Sequence, residues 1–427
     1  MYNKSDMGVL GKILKKKKLG QNLILSLDIG TEFVKALIFK IDPEQEKGII
    51  LGVGRQKQRP EDIQSGSIAD IAGLVNTCQR AVSQAEKMAE GRPEQVVLGI
   101  AGGLVKGATT TIYYQRQKPE SKIDLPELKN IIQKVQWKAF DKIRPELAWE
   151  TGHSEIEIKL VNAAIVDFRI DGYQVTNPLG FKGREISIRI FNAYAPLVHL
   201  GALQSIASDL NLDCLSIAAE PTAIAHCLGT ADSVDFDAIF IDLGGGTTDL
   251  AVVKNGAVEG TKMLALGGRT FTKRLAQELS VGFDEAEEIK LKYSTSSLSP
   301  GVTKKIGEIL KKDLSIWLSG VELALGEFSN LELLPSKIFL CGGGSLLPGV
   351  KTALSRADWI KNLPLAKKPV ISFVQPGDVV NVIDRTKKLN SPIDIPSMAL
   401  ANLALGLVSE EGVLAGILRR TLRMMQR

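Results

Sequence analysis

The sequence predicts an α/β protein with two related α/β halves around a cleft and a small α+β domain inserted into the first half. Three observations carry this reading. A strand, a glycine turn and a second strand occur at residues 23–39 and again at 238–253, with the acids Asp28 and Asp242 placed 214 positions apart. A repeat at that spacing means two supersecondary units of one design, each able to present its turn to a shared cleft. Around them, apolar runs of strand length alternate with stretches of helical periodicity, the pattern of layered α/β domains. From residue 104 to 183 the texture shifts to strands, one helix and an Asp171-Gly172 hairpin signal, and this stretch is read as the insertion.

Length and composition agree. At 427 residues two or three domains are expected, and 44% apolar with 24% charged residues is ordinary for globular domains. No apolar run reaches the roughly 18 residues of a membrane-spanning helix, and no apolar stretch follows the lysines at 15–18, as a secretory signal requires. The four cysteines are scattered without a CxxC, and only three histidines are present. A reduced, cytoplasmic setting is therefore expected, and a structural zinc or a histidine-based hydrolase is not. A net charge of +5 makes no case for nucleic acid. Its distribution matters more, because both ends of the chain are basic.

In chain order, residues 1–21 form a basic arm, either a weak membrane-surface helix or a frayed end. The first hairpin has an apolar strand ending in Asp28, the turn Gly30-Thr31 and a second apolar strand. Residues 68–90 are helical in pattern, with Leu74, Cys78, Val82 and Ala85 on one face, and 96–100 returns as a strand. Within the insertion Pro126 sits near the start of a helix, and His153 is read as a surface loop residue. A strand at 185–195 leads to a helix at 198–211, and Glu220-Pro221 opens another. Near a phosphate Glu220 would orient an attacking water; at a helix start it would equally complement the dipole.

The second hairpin, DLGGGTTD from Asp242 to Asp249, has three successive glycines whose bare N–H groups let the main chain approach a phosphate. Turn geometry alone would explain one such hairpin. Two facing each other would hold a polyphosphate between them, with a hydrated Mg2+ oriented by carboxylates such as Asp242. Thr247 and Thr248 add hydroxyl donors. Downstream, Gly267-Gly268 precedes a helix expected at 272–279, and a helix from Asp284 carries Glu287 and Lys290. A long amphipathic helix at 302–328 keeps Lys304, Lys305, Lys311 and Lys312 on its wet side. Gly342, Gly343, Gly344 and Ser345 form a third strand-to-glycine turn, whose bare backbone suits a flat adenine or ribose. Residues 379–395 read as loop and edge, and 398–408 as a buried helix.

The tail is amphipathic. Val413, Leu414, Ile417, Leu418, Leu422, Met424 and Met425 cover one half of a helical wheel, and Arg419, Arg420, Arg423 and Arg427 gather on the other. This is the pattern of a helix lying in a membrane interface with arginines among anionic headgroups. A helix packed on the protein body would not need arginine at all four charged positions.

The first half is thus assigned 22–103, 184–235 and 376–408, and the insertion 104–183. The second half takes 236–375, with a smaller subdomain at 263–334, and 409–427 is the membrane helix.

DIGT at Asp28, EPTAIA at Glu220, DLGGGTTD at Asp242 and GGGSLLPG at Gly342 resemble the motifs of the actin, heat-shock-chaperone and sugar-kinase ATPase superfamily over nearly the whole chain. The resemblance implies an actin-like ATPase fold with ATP and Mg2+ as cofactors. It implies that Asp28 and Asp242 organise Mg2+, and that Gly30, Thr31, Gly244, Gly245, Gly246, Thr247 and Thr248 bind phosphates. Gly267 and Gly268 are counted with the cofactor-binding residues, and Glu287, Lys290 and the turn from Gly342 to Ser345 with the nucleoside. Glu220 and Thr247 are the candidate catalytic groups.

Within the superfamily the chain resembles FtsA, through DGYQVTNPLGFKGR at 171–184 and through the arginine-faced tail. That resemblance implies polymerisation through actin-like longitudinal contacts and binding of the FtsZ C-terminal tail on the subdomain around 270–328. It also implies a peripheral position on the inner face of the cell membrane, with at most slow ATPase activity. PilM, a pilus-assembly relative, shares the insertion's layout and the short link at 293–301, and has no comparable tail. A small-molecule kinase on the same fold is the competing enzyme class; it gives the insertion and the tail no role.

Overall fold

The computed structural model describes residues 23–64, 67–100, 105–151, 157–228, 236–328, 331–356, 358–365, 367–408 and 413–425. The basic arm, His153 and the 409–412 tether lie outside the described residues.

The first part of the chain forms β1 (Leu23–Ile29), β2 (Phe33–Asp42), β3 (Lys47–Lys57), the short pair β4 (Ile63–Gln64) and β5 (Ser67–Ile68), helix α1 (Ile71–Ala89) and β6 (Gln95–Ile100). Next come β7 (Lys106–Gln115), α2 (Leu125–Thr151), β8 (Ile158–Ile170), β9 (Tyr173–Gln174), β10 (Glu185–Pro196) and α3 (Leu197–Asp209). They lead to β11 (Asp213–Ala219), α4 (Glu220–Ala225), β12 (Ala238–Leu243), β13 (Thr248–Lys254) and β14 (Ala257–Leu264). Helices α5 (Gly268–Leu279), α6 (Phe283–Ser294) and α7 (Pro300–Gly326) precede β15 (Lys337–Cys341) and α8 (Val350–Leu354). The chain ends with β16 (Val370–Phe373), β17 (Val382–Asp384), α9 (Ile395–Val408) and α10 (Val413–Met425).

Two sheets organise these elements. One has six strands in the order β11-β6-β1-β2-β3-β17, the other nine in the order β16-β15-β12-β13-β14-β7-β10-β8-β9. The internal repeat extends to topology: β1 runs antiparallel to β2 and parallel to β6, and β12 runs antiparallel to β13 and parallel to β15. Every residue of β1 and of β12 is buried, which is why both read as nearly continuous apolar runs rather than alternating ones.

Local chemistry fixes the layers. Asp70 caps α1 by accepting a hydrogen bond from the Gly73 N–H at 3.2 Å. The buried stripe of α1 then lies directly on β3. A Cβ at Gly52 or Gly54 would stand 2.1 or 1.8 Å from the carbonyl oxygens of Ala85 and Ala81, so only glycine permits this approach. At the Asp171-Gly172 turn both residues have positive φ, 48° and 86°, as a tight hairpin of this hand requires.

Two boundaries differ from the sequence expectation. Strand β10, assigned from sequence to the first half, lies between β7 and β8, paired with β7 from Glu185–Gln115 to Tyr194–Lys106. Its sheet continues into the strands of the second hairpin, because β14 pairs with β7 at Gly260–Ala108 and Thr261–Gly107. Helix α5 starts at Gly268 rather than 272. The Gly268 and Arg269 N–H groups donate to the carbonyls of Gly244 and Gly245 at 2.9 and 2.8 Å, and these bonds supply partners for an earlier first turn.

The tail is helical, and its apolar side is covered by protein. Ile417 and Leu418 share a core with Leu128, Ile131 and Val135 of α2 and with the inner residues of β8 and β10. Met425 joins Phe140, Ile158, Leu160 and Tyr194, while Arg420 and Met424 face outward. Sequence periodicity found the stripe; a helix lying in lipid was expected, and in this structure the stripe faces α2 and β8. Among the described residues no helix is long and apolar enough to cross a membrane.

Candidate functional site

The two hairpins are alike bond for bond. In each, the glycine two residues after the acid donates its N–H three residues onward: Gly30 to the Phe33 carbonyl at 3.1 Å, Gly244 to the Thr247 carbonyl at 2.9 Å. Each acid lies opposite the residue seven positions on, Asp28 opposite Lys35 and Asp242 opposite Asp249. The repeat therefore sets a lysine on one side of the cleft where the other side has an acid. Lys35 Nζ donates to Asp28 Oδ2 at 2.9 Å. Burial alone would lower the Lys35 pKa, but Asp28, with Asp242 and Glu220 behind it, outweighs burial and holds the ammonium above its ordinary range.

Between the hairpins lies a cavity of about 230 Å3 lined by Asp28, Gly30, Thr31, Glu220, Asp242, Gly244, Gly245 and Thr247 at one end. Gly268, Glu287, Lys290, Gly342, Gly343 and Gly344 line it further on, with apolar walls from Phe271, Leu291, Leu347 and Ile393. Of the residues singled out from sequence, most converge here.

Four do not line the cavity, and each has a reason. The Thr248 hydroxyl donates to the Leu266 carbonyl at 2.6 Å and accepts from the Trp317 indole N–H at 2.9 Å, so it braces the second half instead of offering a donor to phosphate. Ser345 is buried and donates to the Gly342 carbonyl at 2.7 Å, closing its own turn. Gly246 and Gly267 pack against each other; a Cβ on Gly267 would lie 2.6 Å from the Gly246 carbonyl carbon. Gly342 has φ +80°, and a side chain there would strike Asp242 Oδ1 at 2.0 Å, so glycine keeps that carboxylate reachable.

The acids are the electrostatic centre. Asp242 is 8% exposed, and its Oδ1 is buried without a hydrogen-bond partner. Burial, opposed by Lys35 and aided by Asp28, pushes its pKa up to about 6. Glu220 is buried over Gly99 with Oε1 unpartnered. Burial first, then the charges of Asp28, Asp242 and Asp249, hold it well above the ordinary carboxyl range. Unpartnered buried oxygens of this kind mark a place that a cation or a ligand donor completes. Among the described residues no three His, Cys, Asp or Glu side chains form a direct metal cage. Two carboxylates without a cage suit Mg2+, which keeps most of its waters and takes further oxygens from phosphate.

Lys290 is fully engaged, with Glu287 Oε2 at 2.8 Å, the Gly268 carbonyl at 3.1 Å and Thr272 Oγ1 at 2.9 Å. It ties α6 to the start of α5 and gives the cavity wall a fixed shape.

Arg269, which the sequence reading did not single out, bridges the cleft. Its guanidinium bonds Glu32, the Thr31 carbonyl at 3.0 Å and the Ile63 carbonyl at 3.3 Å. Lys57 and Asp284 make a second, exposed bridge at 3.1 Å. The cavity lies below the ~300–1,000 Å3 usual for small-molecule sites, as a cleft clasped at its mouth should. Arg269→Ala is expected to speed release of a bound nucleotide about tenfold, because charge-assisted hydrogen bonds contribute about 1.5–3 kcal/mol. Stopped-flow displacement of a fluorescent ATP analogue measures this, and restoration by the swap Glu32→Arg with Arg269→Glu would tie the effect to the pair.

These two hairpin-centred sheets, facing each other across a cleft, define an actin-like fold. A solved structure of the PilM-PilN type IV pilus biogenesis complex superposes with a TM-score of 0.64 at 18% identity, covering 91% of this chain and 99% of that one. By sequence the chain is similar to FtsA proteins. The model of that family, described as cell division protein FtsA, matches residues 239–401. FtsA of Neisseria meningitidis serogroup B is 28% identical over 366 residues, 81% of this chain and 83% of that protein. FtsA of Enterococcus hirae is 25% identical over 402 residues, 88% and 86% of the two chains.

Proposed function

We propose that this chain binds ATP with Mg2+ and serves as a scaffold of FtsA type, linking a division-ring filament to the inner face of the cell membrane. The observation that carries the nucleotide part is the pair of hairpins with matching turn bonds whose acids, Asp28 and Asp242, line one cavity. Asp28 and Asp242 would hold Mg2+, which would supply charge neutralisation at the phosphates. The chain's own residues supply the rest: Gly30, Gly244, Gly245 and Thr247 cradle the phosphates, Glu287 and Lys290 border the nucleoside, and Glu220 orients a water. Binding of a fluorescent ATP analogue with and without Mg2+ tests it, and no saturable binding would overturn it.

In this reading the FtsZ C-terminal tail is the filament partner, copies of the chain associate end to end, and α10 is the membrane contact. The apolar side of α10 cannot meet lipid and the α2–β8 seat at once, so attachment requires the helix to leave its seat. A PilM-like role in pilus assembly is the second reading. It draws on the superposition with the PilM chain and on the short Thr295–Ser299 link between α6 and α7. Pull-down against an FtsZ tail peptide and a PilN N-terminal peptide separates the two.

A further inference from the structure

One cation in the cavity is unaccounted for by the site described above. Strands β2 and β3 are antiparallel, and their register sets Lys35 opposite Arg55 and Phe33 opposite Lys57. Residues directly opposite, and residues two apart on a strand, share a face of a sheet. Phe33, Lys35, Arg55 and Lys57 therefore stand on one face. That face is the cleft: Phe33, Lys35 and Arg55 line the cavity, and Lys57 bonds Asp284 across it.

The three cations of this row differ in what they hold. Lys35 is paired with Asp28, and Lys57 with Asp284. Arg55 makes no ion pair with the described residues. Its guanidinium carbon lies 3.9 Å from the centroid of the Phe33 ring. The acid that acts on it most strongly, Asp394, already accepts from the N–H groups of Asn390 and Ser391 at 3.2 Å. Burial draws the Arg55 pKa below the usual arginine range, with Asp394 and Asp28 only partly opposing it. Arg55 is nonetheless exposed on the cleft surface, and the aromatic ring of Phe33 orients its guanidinium.

Position along the row decides what it would meet. Asp28, Lys35 and Arg55 follow one another across β1, β2 and β3. Strands about 4.8 Å apart put the Arg55 backbone about 10 Å from that of Asp28, a gap that a fully extended arginine largely spans. The nucleoside end of the cavity, at Glu287 and Gly343, is built from α6 and the turn after β15. We propose that Arg55 grips the terminal phosphate of a bound nucleoside triphosphate, and so sets the preference of the site for triphosphate over diphosphate. The proposal rests on the nucleotide reading of the same cavity. A planar guanidinium pre-oriented on an aromatic face suits two-pronged bonding to phosphate oxygens, and a lysine cannot reproduce that fork.

The test is the affinity of the full-length protein for Mg2+-ATP and Mg2+-ADP, measured by competition against a fluorescent analogue, in wild type, Arg55→Ala and Arg55→Lys. Arg55→Ala should weaken ATP about 10–100-fold, the scale of lost hydrogen bonds to a charged group, and leave ADP within about twofold. Arg55→Lys should fall between. Retained ADP binding also shows that the variant is folded. Equal losses for ATP and ADP, or no loss for either, would overturn the proposal while leaving the nucleotide site intact. Wild type that binds neither nucleotide would instead sink the reading beneath it.

Discussion

Asp242→Asn is expected to weaken Mg2+-dependent nucleotide binding about 10–100-fold and, in the same protein, to raise the melting temperature of the nucleotide-free chain at pH 7. Both follow from one carboxylate. Asp242 is buried with an unpartnered oxygen, and its pKa is lifted to about 6 from 3.8. A group that holds its proton more tightly when folded favours folding at low pH. That contribution is lost as pH rises from 3.8 through about 6. At pH 7 the ionised carboxylate therefore costs the fold on the order of 3 kcal/mol. Asparagine keeps the shape without the charge, so the gain should be present at pH 7 and vanish near pH 4. Metal-bound nucleotide needs the ionised form, and loss of an oxygen that orients a metal weakens metal affinity about 10–100-fold. Wild-type affinity for Mg2+-ATP should likewise fall as pH drops below about 6. Thermal melts across pH, paired with titrations, check both arms; a variant that is no more stable, or that binds as wild type does, would refute the role.

Reversing Arg419, Arg420 and Arg423 to glutamate is expected to release the protein from anionic vesicles without lowering its melting temperature. Deleting residues 412–427 should both release the protein and lower its melting temperature. The difference lies in what each side of α10 does. Ile417, Leu418 and Met425 are buried against protein, and moving them from that seat into lipid exchanges one apolar environment for another at little net gain. The charged side then tips the balance. Basic residues near an anionic leaflet contribute about 1 kcal/mol each, so losing three costs about 3 kcal/mol, roughly 100-fold in partitioning. Deletion also strips the cover from Leu128, Ile131 and Val135, and truncating buried aliphatic side chains commonly costs about 2–5 kcal/mol each. Flotation on vesicles with and without anionic lipid, beside a melt, separates the two effects. Charge reversal that leaves flotation unchanged would assign α10 to the protein body alone.

What the sequence makes legible is what lies close along the chain. The acid, the glycine two residues on and the apolar strand behind them are local, and the repeat at 214 residues converts a common turn into a paired site. The tail's stripe is equally local, which is why its helix could be read and its partner could not: α2 and β8 lie more than 200 residues upstream. Thr248 looks like a phosphate donor until Trp317, 69 positions away, takes its hydroxyl. Arg269 and Glu32, 237 apart, carry no shared pattern. Lys35 was within reach, since strand alternation and the hairpin register put it opposite Asp28. Strand β10 was assigned to the wrong neighbours because texture changes mark where composition shifts, and its ten-residue pairing with β7 is set by register instead.

The seam between β14 and β7 has a mechanical consequence. Two residue pairs, Gly260–Ala108 and Thr261–Gly107, stitch the strands under α10 to the sheet of the second hairpin. Arg189 and the buried Glu259 brace that seam with contacts at 2.7 and 2.6 Å. A force on the sheet that seats α10 would pass along β8, β10 and β7 to the strands of the second hairpin through this narrow suture. Strain on the inserted strands would thus be borne beside the cleft, across a joint two rungs wide.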